Sequence, residues 1–439
     1  MTRACAVPPP DEDMPVTLRE CPGCGLFQLV SSPVPGMMAQ CERCGTTLHR
    51  ARRHPLEQSV ALSLASLVLL IVMCLTTLMT VRTAGIVHQA GLFSGPQELV
   101  VRGMAALAIV VVFVTVVAPM AKLVGTIYVL LRLREQAPPP HLRRVFALIT
   151  KLLPWSMVDV FVFGVFVAYV KLGDLVTIEL DAGVYALLAL TFVLVWTDGA
   201  LDHEAVWDAL DRADAQRESR IAVATGRVPP WAVSCETCAL VVVSDQHAGT
   251  CPRCGSTLHR RKPDSIAWTW ALVTAAGVLY VPANLYPVLT VMQLGAGEPS
   301  TIIGGVRELI ASGMYPLAAL VFFASIAVPM LKLVGLTTML VATQTRRSGW
   351  LRDRTRLYHV VRWIGRWSMI DIFMESLLGA LVQFGGVITI EPGIGAMAFC
   401  GVVVLTMFAA ETFDPRIMWD AAENEVQRDA APGDGYHAH

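Results

Sequence analysis

Long apolar stretches, separated by short polar connections, run through most of the chain after residue 55. A helix that crosses the hydrocarbon core of a bilayer needs about 20 mostly apolar residues. Stretches that meet this requirement lie at roughly 57–81, 103–131, 145–170, 183–198, 266–290, 314–343, 357–384 and 393–412. The pattern therefore predicts an α-helical polytopic membrane protein with about eight transmembrane helices.

Positive charge is distributed unevenly among the connections between these predicted spans. Lys and Arg concentrate before span one, between spans two and three, and between spans six and seven, where Arg346 and Arg366 bound one basic connection. Because basic loops remain cytoplasmic, both termini and the segment from about 199 to 265 are predicted to be cytoplasmic. No stretch before Leu56 is apolar enough for the core of a secretory signal, so the first span is expected to stay uncleaved.

The chain contains an internal repeat that covers almost its whole length. Cys41–Arg50 recurs 210 residues later as Cys251–Arg260, and Trp155–Phe161 recurs 212 residues later as Trp367–Phe373. Each half consists of a cysteine-rich module followed by four predicted spans. Because four is even, both halves enter the membrane from the same side, which predicts a parallel duplication and not an inverted repeat.

Eight of the 11 cysteines form four Cys-x-x-Cys pairs, two pairs in each half. Two such tight turns can present four thiolates to one tetrahedral ion, and Zn²⁺ favours this closed sulfur site. A reducing cytoplasm disfavours structural disulfides, and a module of about 35 residues has too small a core to fold without metal. We predict two structural Zn²⁺ sites, with rubredoxin-like iron and thiol redox chemistry as alternatives. The ligands are Cys21, Cys24, Cys41, Cys44, Cys235, Cys238, Cys251 and Cys254.

The second module is less regular than the first. After Cys235 the chain reads Glu-Thr-Cys238-Ala239, without the Pro and Gly that ease a tight turn. If one site is empty, we expect it to be this one. His49 and His259 follow the last cysteine of each module and are alternative ligands, but four cysteines already complete a tetrahedral shell.

These features predict seven parts along the chain. They are a disordered N-terminal tail (1–19), cysteine-rich module 1 (20–54), a first transmembrane repeat (55–198), a cytoplasmic linker (199–230), cysteine-rich module 2 (231–262), a second transmembrane repeat (263–413) and a C-terminal cytoplasmic tail (414–439). Residues 175–180 and 387–390 alternate in strand fashion, which predicts small extracytoplasmic β elements at the outer end of each bundle.

Composition agrees with a membrane protein and argues against binding nucleic acid. The mean hydropathy is +0.56, 54% of the residues are apolar and 16% are charged, which is typical of integral membrane proteins. The net charge of −1 provides no basic field for DNA or RNA. No Ser-His-Asp, HExxH or phosphate-cradling pattern is present, so we do not expect an enzyme.

Ionisable residues inside the predicted spans are costly in lipid and normally face a bundle interior or a wet cavity. They are Lys122 and Asp159 in the first half and Lys332, Asp371 and Glu375 in the second, and Ser325 and Thr406 can extend a hydrogen-bonded chain from them. One interpretation is a structural Lys–carboxylate pair that locks each bundle. The other is a proton or conformational relay, in which protonation of a carboxylate lets the helices shift.

Proline residues interrupt several predicted spans. Pro119 and Pro329 stand just before the two buried lysines, Pro154 lies in span three, and Pro282 and Pro287 flank Asn284. A proline removes a backbone donor and bends a helix. The bends are interpreted equally as cavity walls or as packing features.

Several long motifs resemble the PqiA/LetA family of bacterial inner-membrane proteins, named for paraquat-inducible protein A. The resemblance covers roughly residues 20–420 and includes the tandem Cys-x-x-Cys modules and the Pro-Met-x-Lys-Leu-Val-Gly segments at Pro119 and Pro329. It includes above all the segment from Pro154 to Gly164 with Val170-Lys171-Leu172, and its partner that begins at Arg366. The irregular turn at Cys235 and the basic connection from Arg346 to Arg366 depart from the family pattern.

This resemblance implies a role in lipid trafficking across the Gram-negative envelope. A member would load lipid into, or extract it from, a tunnel formed by a periplasmic MCE-domain protein, and its localisation would be the bacterial inner membrane. The resemblance also implies zinc-ribbon-like cytoplasmic modules and an intramembrane polar network, which maps onto Ser325, Lys332, Ser368, Asp371 and Thr406.

Three functions follow as hypotheses. The first is a transporter of phospholipid or a related lipid. No Walker motif is present, so its energy would come from a proton gradient or from the partner. The second is a scaffold that anchors the MCE protein and moves nothing. The third is a proton-coupled exporter of small molecules, suggested only by the intramembrane charges.

Overall fold

A computed structural model shows a mostly helical protein built as two repeated halves. The structure describes residues 16–31, 36–50, 55–83, 86–135, 139–173, 177–212, 232–243, 249–293, 296–346, 349–381, 383–384 and 388–430. The predicted tail before residue 16, most of the predicted linker after residue 212 and the last nine residues lie outside these ranges.

Each cysteine-rich module consists of two short antiparallel hairpins. Module 1 pairs β1 (Val16–Glu20) with β2 (Phe27–Ser31) and β3 (Met38–Gln40) with β4 (Thr47–Arg50). Module 2 pairs β8 (Ala232–Ser234) with β9 (Val241–Val243) and β10 (Gly249–Thr250) with β11 (Thr257–Leu258). Every hairpin turn carries one Cys-x-x-Cys pair, as the spacing predicts.

Each half of the chain contains eight α-helices in the described residues, counting short ones, and the last helix of each half follows the predicted transmembrane repeat. The first half has α1 (Pro55–Leu75), α2 (Ser94–Val101), α3 (Ala105–Val112), α4 (Ala118–Arg132), α5 (Leu142–Leu152), α6 (Val158–Gly173), α7 (Ala182–Ala200) and α8 (His203–Arg212). The second half has α9 (Ser265–Leu285), α10 (Ile302–Ala311), α11 (Tyr315–Phe322), α12 (Val328–Gln344), α13 (Leu351–Ile364), α14 (Ile370–Leu381), α15 (Ile394–Thr412) and α16 (Arg416–Ala430).

Seven helical segments in the described residues are long and apolar enough to cross a membrane. They are Leu56–Leu75, Ala105–Arg132, Leu142–Lys171, Ala182–Ala200, Ser265–Leu285, Tyr315–Gln344 and Ile394–Thr412. The sequence predicts about eight, and the difference is the predicted span 357–384. That segment consists of α13, a 3₁₀ turn and α14, and it carries Arg366, Asp371 and Glu375. Phe163 is the residue of the first half that corresponds to Glu375. The corresponding segment of the first half is therefore more apolar than the segment 357–384.

A small β-sheet lies at one end of each helix bundle, as predicted. In the first half β5 (Thr77–Thr83) lies between β6 (Ile86–Gly91) and β7 (Thr177–Leu180). In the second half the order is β13 (Ala296–Ser300), β12 (Leu289–Gln293), β15 (Ile388–Pro392), β14 (Gln383–Phe384). We call this end of the molecule the sheet end, and the opposite end the module end.

The two long helices of the repeats are interrupted at the same place by a π-helical turn. The turns span Phe113–Val117 and Phe323–Ala327 and stand directly before α4 and α12. Pro119 and Pro329 lie directly after these turns, inside helices that continue through them, and each proline removes one backbone donor there. The predicted interruptions are therefore confirmed, and each contains one extra residue that changes which side chains face inward.

Both modules dock onto the opposite half of the chain. The buried cysteines of module 1 pack against Trp419 of α16 and Leu351 of α13 in the second half. The buried cysteines of module 2 lie in one apolar cluster with Phe146 of α5 and Trp207 of α8 in the first half. At the module end, each module therefore packs on helices of the other half of the chain. We call this arrangement crossed docking.

Residues at equivalent positions of the repeat make this contact in both modules. Arg43 of module 1 lies over the ring of Trp419, with its Cζ atom 4.2 Å from the ring centroid. Its repeat equivalent, Arg253 of module 2, lies 5.8 Å from the centroid of Trp207. Such cation–π contacts add to the apolar burial of the indole. The predicted C-terminal tail therefore contains a helix whose tryptophan is buried by module 1.

An ion-pair cluster joins both modules to α16. The Arg416 guanidinium contacts Asp414 at 2.8 Å, Glu236 of module 2 at 2.6 Å and Glu20 of module 1 at 3.4 Å. Arg261 also contacts Glu20, at 2.9 Å. Burial opposes the charge of Arg416, but these carboxylates raise the pKa of its guanidinium above the ordinary value. Arg416 is thus a buried cation whose partners include residues of both modules, and removing one of them would leave a buried charge uncompensated.

Candidate functional site

The four predicted cysteine ligands of each module form one buried cluster. Within each cluster the four Sγ atoms lie within 4.8 Å of one another. Contacts of 3.4 to 3.6 Å join the Sγ atoms of Cys21 and Cys44, Cys24 and Cys41, Cys235 and Cys254, and Cys238 and Cys251. A tetrahedral ion with Zn–S bonds of about 2.3 Å holds its sulfurs about 3.8 Å apart, whereas a disulfide needs about 2.05 Å. The donor set therefore fits a thiolate-bound metal ion.

The backbone turn behind each pair of cysteines is the same in all four hairpins. The residue after the second cysteine donates its N–H to the carbonyl of the first, at 2.9 Å in each case. This residue has positive φ, and it is glycine in three hairpins: Gly25, Gly45 and Gly255. In the fourth it is Ala239, with φ 56°. The irregular turn predicted at Cys235 is thus built, with an alanine in a conformation that favours glycine.

The histidines that follow the last cysteine of each module lie outside the cysteine clusters. No described histidine belongs to either group of potential ligands. The His49 Nε2 atom lies 2.9 Å from a carboxylate oxygen of Glu204, the residue that also pairs with Arg19. Burial raises the pKa of Glu204 to about 7, against the opposing charge of Arg19. His49 therefore joins module 1 to α8, and four cysteines complete each cluster.

A cavity at the sheet end of the second bundle collects the predicted acidic residues. Asp371 and Glu375 of α14 line it together with Ser325, which belongs to the π-helical turn before α12. The helical spacing of four residues places both carboxylates on one face of α14. Thr301 and Gly305 of the α10 region form part of the opposite wall.

The carboxylates in this cavity have few partners among the described residues. Both carboxylate oxygens of Asp371 and one of Glu375 are buried without a hydrogen-bond partner there. Burying a polar group without a partner is costly, so proteins tolerate it mainly where the group binds a ligand or takes part in function. The cavity has a volume of ≈ 50 Å³ and is therefore narrow, so it is the buried acids, and not its size, that mark it as the candidate site.

Lys171 is a site residue that the pattern of charges within the predicted spans does not indicate. It lies in the last turn of α6 in the first half and lines the same cavity as Asp371 and Glu375. Its position at the very end of an apolar stretch made it look like an ordinary connecting residue. The cavity therefore contains a cation from one half and two acids from the other.

The remaining predicted network residues lie elsewhere in the molecule. The Lys122 ammonium pairs with Asp198 of α7. The Lys332 ammonium donates to the Thr406 hydroxyl at 3.3 Å; no carboxylate that the structure describes lies within ion-pair distance of it. Ser368 is fully buried, and its hydroxyl has no partner among the described residues.

Asp159 pairs across the two halves. Both of its carboxylate oxygens lie 2.9 Å from the Arg366 guanidinium, which also donates to the Ser156 carbonyl at 3.1 Å. The basic connection from Arg346 to Arg366 thus ends in a residue that ties α6 to the start of α14, a role that the sequence did not indicate. The structure brings together Ser325, Asp371 and Glu375 in one cavity, but not the whole predicted network.

Both halves of the chain match one family of known proteins. A family model described as Paraquat-inducible protein A matches residues 56–211 and 266–423. The chain is 32% identical over 403 residues to the Intermembrane transport protein PqiA of Escherichia coli (strain K12), which covers 91% of this chain and 95% of that protein.

Two further relatives extend these matches. The chain is 29% identical over 408 residues to the Lipophilic envelope-spanning tunnel protein A of the same strain, covering 92% of each. It is 27% identical over 387 residues to a Probable intermembrane transport protein of Haemophilus influenzae, covering 88% of this chain and 92% of that protein. No solved structure matches the chain.

Proposed function

We propose, from the premise that the chain belongs to the paraquat-inducible protein A family, that it moves lipid between the inner and outer membranes of the Gram-negative envelope. The names of its relatives, intermembrane transport protein and lipophilic envelope-spanning tunnel protein, support transport of an apolar or amphiphilic cargo. The seven apolar helices are consistent with a multi-pass envelope membrane protein.

The observation that carries the proposal is the cavity lined by Lys171, Ser325, Asp371 and Glu375. A carrier of amphiphiles needs a polar place for the headgroup inside an otherwise apolar bundle. Charges buried in a membrane-spanning bundle are expensive and are kept where a substrate or proton uses them. Lys171 supplies the cation that a phosphate headgroup requires, and the acids supply groups whose protonation can change its charge balance.

We place the protein in the inner membrane with both termini in the cytoplasm. The concentration of Lys and Arg at the module end supports this orientation. The sheet end then faces the periplasm, where its two sheets offer edges and loops for a periplasmic MCE-domain protein that continues the lipid path. The cavity opens near those sheets, because Leu289 and Ser300 belong to its wall.

We propose Zn²⁺ as the ion of both cysteine clusters, with a structural role. Four buried thiolates leave no open coordination position for a substrate, which is the mark of a structural site. When bound, the ion crosslinks the two hairpins of each module. The hydrogen bond between the two thiols lowers the pKa of Cys21 to about 5 and raises that of Cys24 above its ordinary value, so binding of the metal displaces the protons that remain on the cluster.

We propose that transport is coupled to protonation in the cavity. Asp371 and Glu375 lie one helical turn apart, so ionising both places like charges close together in a buried space. Lys171 lines the same cavity and can balance one of these charges. A proton that enters therefore changes the net charge of the cavity by one unit and with it the affinity for an anionic headgroup.

The proposal is tested by photocrosslinking in cells, with a photoreactive residue in place of Val321 in the cavity wall. Wild type is compared with Asp371→Asn, and Asp159→Asn is the matched control because that carboxylate pairs with Arg366 outside the cavity. Asparagine mimics the uncharged form of Asp371 and so removes one negative charge beside an anionic headgroup; we therefore expect about tenfold more lipid adducts in Asp371→Asn than in the wild type and the control. The membrane level of all three proteins is measured by immunoblot.

The opposite result would assign a different function. If the crosslinks go only to an MCE-domain protein and do not change in Asp371→Asn, the chain is a scaffold and the buried charges are structural. If a small water-soluble molecule is captured in place of lipid, the chain is an exporter. Either result contradicts lipid transport through this cavity.

A further inference from the structure

An apolar groove runs along α10 and α11 on a face different from that of the cavity. Val306 and Ile310 of α10 form one wall, and Ala318 and Phe322 of α11 form the other. Its volume of ≈ 490 Å³ falls within the range of about 300–1,000 Å³ that is typical of small-molecule sites. Ile310 and Phe322 are exposed apolar side chains, so the groove is open to its surroundings.

One charged side chain lines this groove. Arg307 of α10 lies among the apolar residues, and no carboxylate that the structure describes forms an ion pair with it. Other arginines near the sheet end are paired: Arg82 lies 3.1 Å from Glu179, and Arg102 lies 2.6 Å from Glu98. The guanidinium of Arg307 is thus available to an anion from outside the described chain.

The first half of the chain lacks this cation. The helix α2 is the repeat equivalent of α10, and Gln97 occupies the position of Arg307, whereas Glu98 and Glu308 correspond. Arg102, which pairs with Glu98, is replaced by Ser312 in the second half. The charge of Arg307 therefore lies beside the groove in the same half of the chain that contains Asp371 and Glu375.

We propose that this groove binds an anionic phospholipid, with its phosphate on Arg307 and one acyl chain along the apolar walls. A guanidinium presents paired N–H donors that match phosphate oxygens, and burying methylene groups supplies affinity without specificity. The proposal rests on the proposed function and deepens it by naming the substrate class and a binding site for it.

The position of the groove relates it to the cavity. Both sites share α10 and α11: Ile302, Gly305 and Leu309 line the cavity, and the neighbouring positions Val306 and Ile310 line the groove. A lipid in the groove is therefore separated from Asp371 and Glu375 by this one pair of helices. The groove is a holding site on the lipid-facing side of the transport path.

The test uses the purified full chain in nanodiscs of phosphatidylcholine that contain a small, varied fraction of phosphatidylglycerol with a diazirine on one acyl chain. After irradiation, labelled peptides are quantified by mass spectrometry. We expect saturable labelling of 302–326 in the wild type, about fivefold less in Arg307→Gln, and an intermediate level in Arg307→Lys, which keeps the charge but not the paired donors. Arg82→Gln, at the same end of the molecule, is the matched control and should not change the labelling.

Two outcomes would overturn the inference. One is labelling of α10 and α11 that rises linearly with the probe fraction, as expected of bulk lipid at any apolar surface. The other is equal labelling in Arg307→Gln and wild type. The assay needs neither partner nor transport, so its failure leaves the Asp371 experiment untouched. Saturable, Arg307-dependent labelling together with failure of the Asp371 experiment would leave a lipid-binding protein that does not transport.

Discussion

At the scale of single residues, the two halves differ at a few positions where equivalent residues of the repeat are chemically unlike. Ala239 replaces a glycine in the second module, and Glu375 stands where the first half has Phe163. The first change affects the stability of a metal-binding turn, whereas the second adds a buried acid to a cavity. A duplicated chain can thus use one half for function while the other keeps the apolar packing.

We predict that Ala239→Gly stabilises the second cysteine module. Ala239 has φ 56°, a left-handed conformation that costs an L-residue about 1 kcal/mol relative to glycine. Loss of Zn²⁺ from purified protein to a chelator should therefore become several-fold slower for this module. The matched control is Gly255→Ala, which introduces the same strain at φ 77° with no atom closer than 3.8 Å to the new methyl group, and should accelerate the loss. Identical rates in all three proteins would contradict this account.

At the scale of secondary-structure elements, the centre of the molecule depends on close approach of α6 and α14. A Cβ atom on Gly164 would lie 2.7 Å from the Phe373 Cβ atom and 3.4 Å from the Ile370 carbonyl oxygen. Phe161 packs edge-on against Phe373, with 5.3 Å between the ring centroids. The helix that carries the candidate acids is thus held against the first half by a glycine and two aromatic rings.

Gly164→Ala is expected to separate these two helices. The added methyl group has no space, so overpacking should cost about 1–3 kcal/mol and lower the thermal unfolding temperature of the detergent-solubilised protein. Gly199→Ala is the control, since nothing lies within 4 Å of its added Cβ atom and alanine favours a helix. An unchanged midpoint for Gly164→Ala would show that α6 and α14 relax without cost.

At the scale of the whole molecule, the crossed docking of the modules joins the two halves. Module 1 packs on α16, module 2 packs on α8, and Arg416 contacts acids from both modules. Each module is therefore in contact with the half of the chain that it does not precede. The modules thus connect the two halves of the protein, although they lie at the end opposite the cavity.

Trp419→Ala should weaken the contact between module 1 and α16. Trp419 is buried against the cysteines of module 1 and donates from Nε1 to the Thr355 hydroxyl at 3.0 Å, so truncation should cost about 3–5 kcal/mol of local stability. We expect faster amide hydrogen exchange across 16–50 and 416–430 and a smaller change in module 2, which keeps its apolar contact with α8. Trp350→Ala is the control because that side chain is 80% exposed. Equal protection of module 1 in both variants would disprove its dependence on α16.

Much of the architecture could be predicted from local pattern alone. Apolar length predicts the spans, the Cys-x-x-Cys spacing predicts two four-sulfur clusters, and Pro119 and Pro329 predict the interruptions, because each rests on a few neighbouring residues. Alternating residues near 175–180 and 387–390 likewise predict the sheets. The exception is the predicted span 357–384, whose Arg366, Asp371 and Glu375 make it the least apolar of the set.

What the sequence by itself determined is the class of the protein, its repeat, its two four-cysteine clusters and its family, since these depend on composition and spacing along the chain. Only the tertiary structure decided which charges meet. Lys122 lies with Asp198, Asp159 with Arg366, and Lys171 lines the cavity of Asp371. These partners come from distant segments, and the crossing of the modules joins residues hundreds of positions apart. Such contacts follow from how helices pack in three dimensions, which the one-dimensional pattern does not contain.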